Sequence, residues 1–187
     1  MKALVKSRPE PGLWMEEVPA PVIGINDVLV RVKKASICGT DIHILKGALP
    51  IAKPPMVLGH EASGEIAAVG ANVDHVREGD RVTLDAVVGC GHCYLCQRGS
   101  FQFCAKGFEF GITRDGGCQE YLVVPKRNVY RIADTVSFEE AATVFDDPLL
   151  VLQDASRNEE PRDAVIGFSS TGRLLTVVHI EFDGQSI

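Results

Sequence analysis

Cations are what the last quarter of this sequence has least of: residues 136–187 carry three arginines and no lysine against ten Asp and Glu, a local charge of −7. Clustered Lys and Arg are needed to grip phosphates, so nucleic-acid binding through bulk charge is not expected. Long apolar runs are missing as well. Nothing approaches the ~18 continuous apolar residues of a membrane-spanning helix, and the opening MKALVKSRPEPG has no apolar signal core. The expectation is a cytoplasmic address with no membrane partner. Internal repeats and low-complexity tracts are absent. So is any G-x-G-x-x-G, the glycine spacing with which a strand–turn–helix unit cradles a pyrophosphate.

There is enough apolar material for a core: 45% of 187 residues, with 24% charged, the balance of a globular chain of one or two small domains. Residues 1–135 are nearly charge-balanced, with 16 Lys+Arg against 15 Asp+Glu. They read mainly as strands. MKALVK, DVLVRVKKA, GEIAAVG, DRVTLDAVV, EYLVVP and NVYRI are short β-type runs separated by Gly, Pro and Asn/Asp punctuation. Closely spaced strands of this kind predict a small barrel or sandwich. The segment Ser36 to Lys46 reads as a helix with Ile42 and Leu45 inward, although its CGTDIH start also reads as a functional turn.

All six cysteines lie in this first part. In a reducing compartment they are metal ligands or free thiols sooner than disulfides. GCGHCYLCQRGSFQFC sets Cys90, Cys93, Cys96 and Cys104 at C-x2-C-x2-C-x7-C, with Gly89, Gly91 and Gly99 freeing the backbone to wrap four thiolates round one tetrahedral ion. Zinc is the first reading; four thiolates leave it no open position, so it would hold a loop together without doing chemistry. An iron–sulfur cluster is the rival, although the Cys-Pro of a bacterial ferredoxin run is missing. Disulfides are the plainest alternative. His92 reads as a solvent-facing spacer.

A second constellation is spread over SICGTDIH and LGHEASGEIAAVG. Cys38, His60 and Glu61 offer a sulfur, an imidazole and a carboxylate, a mixed set suited to zinc with an open position. Against it, a lone buried Cys is usually a small core hydrophobe, and convergence of the three is not visible in sequence.

Taken together, MKALVK, VPAPVIGINDVLVRVKKASICGTDIHI, VLGHEASGEIAAVG, GDRVTLDAVVGCGHCYLCQRG and GITRDGGCQEYLVVPKRNVYRI resemble the N-terminal GroES-like catalytic domain of the zinc-dependent medium-chain alcohol dehydrogenases, most nearly the L-threonine 3-dehydrogenase and polyol dehydrogenase branch. The resemblance covers residues 1–135. It implies a catalytic zinc on Cys38, His60 and Glu61, a structural zinc on Cys90, Cys93, Cys96 and Cys104, and a proton relay from a small-molecule alcohol through Thr40 and His43. Cys118 stands where the family commonly has an aromatic, and reads as a buried free thiol. The implied chemistry is oxidation of a secondary alcohol with hydride transfer to NAD. NAD needs the Rossmann domain that follows the catalytic domain in this family. No fingerprint for one is present, and the 52 residues after Thr135 are fewer than the ~100–150 of a typical domain. The expectation is therefore no NAD site in this chain, little turnover alone, and an apolar face near Cys38 and His60 that a second copy or a protein partner would cover.

Residues 136–187 read as a short α+β segment: a helix SFEEAATVF with Ser137 as N-cap and Glu140 at the capping-box position, then PLLVLQ, a polar loop, and the strands AVIGF and RLLTVVHIEF in a hairpin. VSFEEAATVFDDPLLVL and AVIGFSSTGRLLTVVHIE resemble the middle of the BrnT ribonuclease toxins, without that family's opening and closing elements. The residues nominated for RNA chemistry are Arg173 and His179. In the dehydrogenase resemblance, Asp147 matches a position from which some relatives add a carboxylate to the catalytic zinc; under the toxin resemblance it closes a turn. Three functions follow: a zinc-binding dehydrogenase domain, a zinc-stabilised interaction module, or a toxin fragment fused to an inert domain.

Overall fold

The computed structural model describes residues 1–143 throughout and, beyond them, only the backbone of four strands. The chain runs β1 (Lys2–Lys6), β2 (Trp14–Glu17), β3 (Asp27–Ala35), α1 (Gly39–Leu45), β4 (Met56–Val57), β5 (Ala62–Val69), β6 (Arg81–Leu84), β7 (Val87–Val88), α2 (Tyr94–Gln97), β8 (Phe108–Glu109), β9 (Tyr121–Pro125), β10 (Val129–Arg131), α3 (Phe138–Thr143), β11 (Val151–Asp154), β12 (Arg162–Phe168), β13 (Leu174–Phe182) and β14 (Gln185–Ser186). The architecture is mainly β, as expected, and no described helix is long and apolar enough to cross a membrane.

A five-stranded antiparallel sheet in the order β10-β6-β5-β3-β9 forms the centre. Alternation explains its core. Val28 and Val30 of β3, Leu122 and Val124 of β9, and Val82 and Leu84 of β6 are buried together with Ile66 of β5. Their neighbours along each strand point the other way, as period-2 geometry requires. A second sheet, β2-β1-β4, carries the chain terminus and ends in the Leu58–Gly59 approach to His60.

The run DRVTLDAVV, read as one strand, is two. The Asp85 carboxylate accepts from the Val87 amide (3.0 Å), and buried Asn128 donates to the carbonyls of Asp85 (3.0 Å) and Val87 (2.9 Å). Side-chain bonds to the backbone offer an alternative to the ladder, and the chain leaves the central sheet at this point. It enters the small β7-β8 pair that leads to the cysteine lobe.

The helix expected over Ser36 to Lys46 is α1, but its inner face differs: Asp41 and Ile44 are buried, whereas Ile42 is exposed and Leu45 half-buried. A polar side chain displaced the predicted apolar pair. Asp41 turns inward because its Oδ2 accepts the Cys38 amide at 2.9 Å.

Helix α3 opens with the capping box expected at Ser137 and Glu140: the Glu140 amide donates to Ser137 Oγ (3.1 Å) and the Ser137 amide to Glu140 Oε2 (2.8 Å). The helix lies on the central sheet. Ala141 and Ala142 are buried, Ser63 Oγ donates to the Phe138 carbonyl (2.5 Å), and Thr83 Oγ1 donates to the Ala141 carbonyl (2.5 Å). Arg81 holds the carbonyls of Ala133 (3.0 Å) and Val136 (2.7 Å) and stacks over the Phe138 ring.

Strands β11-β12-β13-β14 form a separate antiparallel sheet, with the anticipated pairing of AVIGF and RLLTVVHIEF. His179 lies opposite Asp163 in its register, whereas Arg173 falls outside the described residues, as does Asp147.

Thr83→Val keeps side-chain volume and deprives a buried carbonyl of its partner. It should cost about 1–3 kcal/mol of stability, read from the midpoint of a urea melt. An unchanged midpoint would show that the Thr83 bond does not hold α3 down.

Candidate metal centres

The cysteine lobe is built from local chain. Cys93 is the N-cap of α2 and its Sγ accepts the Cys96 amide (3.5 Å), while the Cys90 amide donates to Cys104 Sγ (3.3 Å). The four sulfurs all lie within 4.8 Å of one another, with Cys93 and Cys104 at 3.8 Å and Cys90 and Cys96 at 4.0 Å. A tetrahedron with metal–sulfur bonds of about 2.3 Å has edges of about 3.8 Å. These separations are far beyond the ~2.05 Å of a disulfide, and all six cysteines are free thiols. They are also tighter than cysteines seated on the separate irons of a cluster. One tetrahedral ion is what the lobe fits.

Glycine is required at two lobe positions. A Cβ on Gly89 would meet Cys96 Sγ at 2.7 Å, and Gly91 sits at φ +83°. Arg127 donates to the Gly89 carbonyl and ties the lobe to the central sheet. The Cys90 amide holds the Cys104 thiol down to about 6, so a thiolate is ready for a cation. His92 faces solvent, its Nδ1 2.9 Å from the Cys90 carbonyl.

The second centre is assembled from distant chain. Cys38 is the N-cap of α1, just after β3; His60 and Glu61 sit between β4 and β5. Their ligand atoms fall within 4.8 Å of one another. Gly59 makes the approach possible. It has φ +92°, its carbonyl accepts the Gly117 amide (2.6 Å), and a Cβ there would meet Cys118 Sγ at 2.6 Å. Cys118 is the half-buried thiol behind this loop, and burial pushes its pKa up to about 12.

Asp41, which was not singled out from the sequence, faces the centre. Its Oδ1 stands 3.9 Å from His60 Nδ1, and both atoms are buried with no hydrogen-bond partner. The signal was present: Cys38 and Asp41 have the spacing of an N-cap and its capping-box partner. Around this group the titrations are shifted. Burial works against the Cys38 thiolate, but hydrogen bonds from His60 and the Thr40 amide bring its pKa below the usual thiol value. Burial likewise opposes the His60 imidazolium, yet Cys38 and the charge of Asp41 raise it to about 9. Glu61 is raised, by burial first. A soft thiolate, an imidazole and a carboxylate held this close fit a zinc ion that retains an open position.

Thr40 Oγ1 lies 3.6 Å from Cys38 Sγ, and His43, one helical turn on, is exposed. Ile37 and Ile42, next to Cys38 and within α1, are both exposed.

A GroES-like barrel bearing a four-cysteine lobe and a Cys/His/Glu pocket is the catalytic-domain architecture of zinc-dependent alcohol dehydrogenases. The chain belongs to the alcohol dehydrogenase GroES-like domain family, whose profile matches residues 24–134. Among its relatives, the L-threonine 3-dehydrogenase of Rhizobium etli is 46% identical over 78% of this chain and 43% of its own length. That of Pectobacterium carotovorum is 42% identical with the same coverage. An NAD-dependent alcohol dehydrogenase structure superposes with a TM-score of 0.71 at 34% identity, covering 77% of this chain and 43% of that one. Galactitol-1-phosphate dehydrogenase from Escherichia coli gives 0.71 at 33%, covering 76% and 41%. The chain therefore spans less than half the length of these relatives. A second profile, that of the BrnT ribonuclease toxins of type II toxin-antitoxin systems, matches residues 126–187.

Metal binding at the Cys38 centre should be proton-coupled. His60 keeps its proton up to about 9 in the metal-free chain, so each ion bound at pH 7 displaces it. Affinity should rise by at least about tenfold per unit between pH 6 and 8, for the His60 proton and any that Cys38 still holds, as measured by chelator competition. A flat profile would contradict the imidazolium assignment.

Proposed function

We propose that residues 1–143 are the zinc-holding catalytic half of an NAD-dependent alcohol dehydrogenase for a secondary alcohol such as L-threonine, and that the chain alone turns over little or no substrate. The convergence of Cys38, His60 and Glu61 beside α1 carries this reading. These three hold the catalytic zinc; Cys90, Cys93, Cys96 and Cys104 hold the structural one. When bound, zinc at the first site supplies a Lewis acid that lowers the pKa of an alcohol hydroxyl. In such a relay Thr40 Oγ1 would accept the hydroxyl proton while giving up its own, and His43, at the surface, would pass that proton to water. The charge of Asp41, 3.9 Å from His60 Nδ1, favours the protonated imidazole until a metal displaces the proton.

The sequence has no glycine-rich pyrophosphate loop with which a Rossmann domain would hold NAD. No hydride step is assigned to this chain alone. Residues 133–141, where the two family resemblances meet, pack with the dehydrogenase-like part, since Ser63, Arg81 and Thr83 bind them to the sheet.

Zinc analysis tests the metal assignment. Cys38→Ser should remove one ion and Cys93→Ser another, with the Cys38 site yielding first to chelator; equal zinc in Cys38→Ser and the parent chain would refute it. Assayed with L-threonine and NAD, the purified chain should form no NADH. Formation that disappears in Cys38→Ser would overturn the claim of low turnover.

A second reading rests on the toxin profile: residues 136–187 derive from a ribonuclease toxin, with His179 and Arg173 as its nominated RNA-cleaving groups. The local charge of −7 opposes phosphate binding. RNA cleavage lost in His179→Ala would establish it.

A further inference from the structure

Lys6 is only 2% exposed and, among the described residues, forms no ion pair. Its ammonium is held by three carbonyls from two segments: Glu10 (2.6 Å), Gly12 (3.3 Å) and Leu45 (3.1 Å). The Trp14 ring stands 6.0 Å away. Burying an ammonium is costly, and carbonyl oxygens in this number are what make it tolerable.

The Leu45 carbonyl is the last of α1, where the helix dipole is negative and carbonyls lack helical partners. It accepts both Lys6 and the Gly12 amide (3.0 Å). Gly47 sits at φ +72° just beyond, so close to the loop that a Cβ would meet the Pro9 carbonyl at 2.8 Å. Helix α1 needs such anchors. Seven residues are too few for a helix to hold itself, and Ile44 is its one buried apolar side chain. At the other end stand Cys38 and the Asp41 capping contact. The helix therefore has two pins about 10 Å apart, given its rise of about 1.5 Å per residue.

We propose that Lys6 is a positioning residue of the Cys38 centre: by gripping the C-terminal end of α1 it fixes the helix axis, and with it where Cys38 stands relative to His60 and Glu61. The proposal rests on the metal role given to those three residues. Without the ammonium, the Gly12 amide alone holds the end of α1, the helix can pivot about Ile44, and the sulfur at its far end moves with it. The cysteine lobe, built from residues 90–104 alone, is untouched by such a pivot.

Cobalt(II) titration of the full chain separates these effects, with Cys38→Ser assigning which absorption belongs to which centre. Lys6→Met keeps the aliphatic stem and removes the ammonium. It should weaken cobalt at the Cys38 centre about tenfold, within the range typical of residues that orient metal ligands, while the lobe changes less than about twofold. Lys6→Gln, which retains a donor, should fall between Lys6→Met and the parent chain. Unchanged affinity at the Cys38 centre overturns the proposal. So does equal weakening of both centres, or failure of both variants to fold, since either would make Lys6 a residue of general stability. A parent chain that binds no cobalt at Cys38 refutes the metal reading itself, and is seen before any variant is made.

Discussion

The pairing of β3 with β5 is the constraint on which the Cys38 centre depends. Antiparallel register sets Ala35 opposite Ala62, and the Ser36 amide continues the ladder to the Glu61 carbonyl at 3.0 Å. The end of one strand is thereby brought to the start of the other, and residues 22 apart in sequence, Cys38 and His60, become neighbours. A slip of one residue would turn Val28 and Val30 out of the core, so the packing that buries them also fixes the metal-facing ends. Core and site share one register.

The two metal centres solve opposite problems. In the lobe, four ligands come from fifteen consecutive residues, and the demands on the chain are local: glycines at 89 and 91, and amides that donate to sulfur. At the Cys38 centre, the demands are spread over β3, α1, the Gly59 loop and the N-terminal hairpin. Here burial opposes every ionised group, and partners restore only some of them: Cys38 and His60 stabilise each other, whereas Glu61 is held above its usual range.

That difference decides what could be read in the sequence. C-x2-C-x2-C-x7-C is a short-range pattern, so the lobe was legible without any fold. Cys38, His60 and Glu61 could be named but not joined, because joining them needs the sheet. The inner face of α1 was misjudged for a related reason. Hydrophobic periodicity favours Ile42 and Leu45, and it has no means of scoring an aspartate whose burial depends on the Cys38 amide and on an imidazole from another strand. Asn128 acts similarly in breaking DRVTLDAVV: a side chain from residue 128 bends the chain at residue 85. The role of Lys6 leaves no mark in the sequence, since its acceptors are carbonyls, which every residue has and no motif marks.

Helix α3 is bound to the sheet by hydroxyls of Ser63 and Thr83 that reach its carbonyls, and by two buried alanines. The central sheet is thus covered by α3, as a jar is by its lid. Among the described residues, every ligand of the two metal centres comes before this helix in the chain, so α3 acts on them only through the sheet that joins β3 to β5.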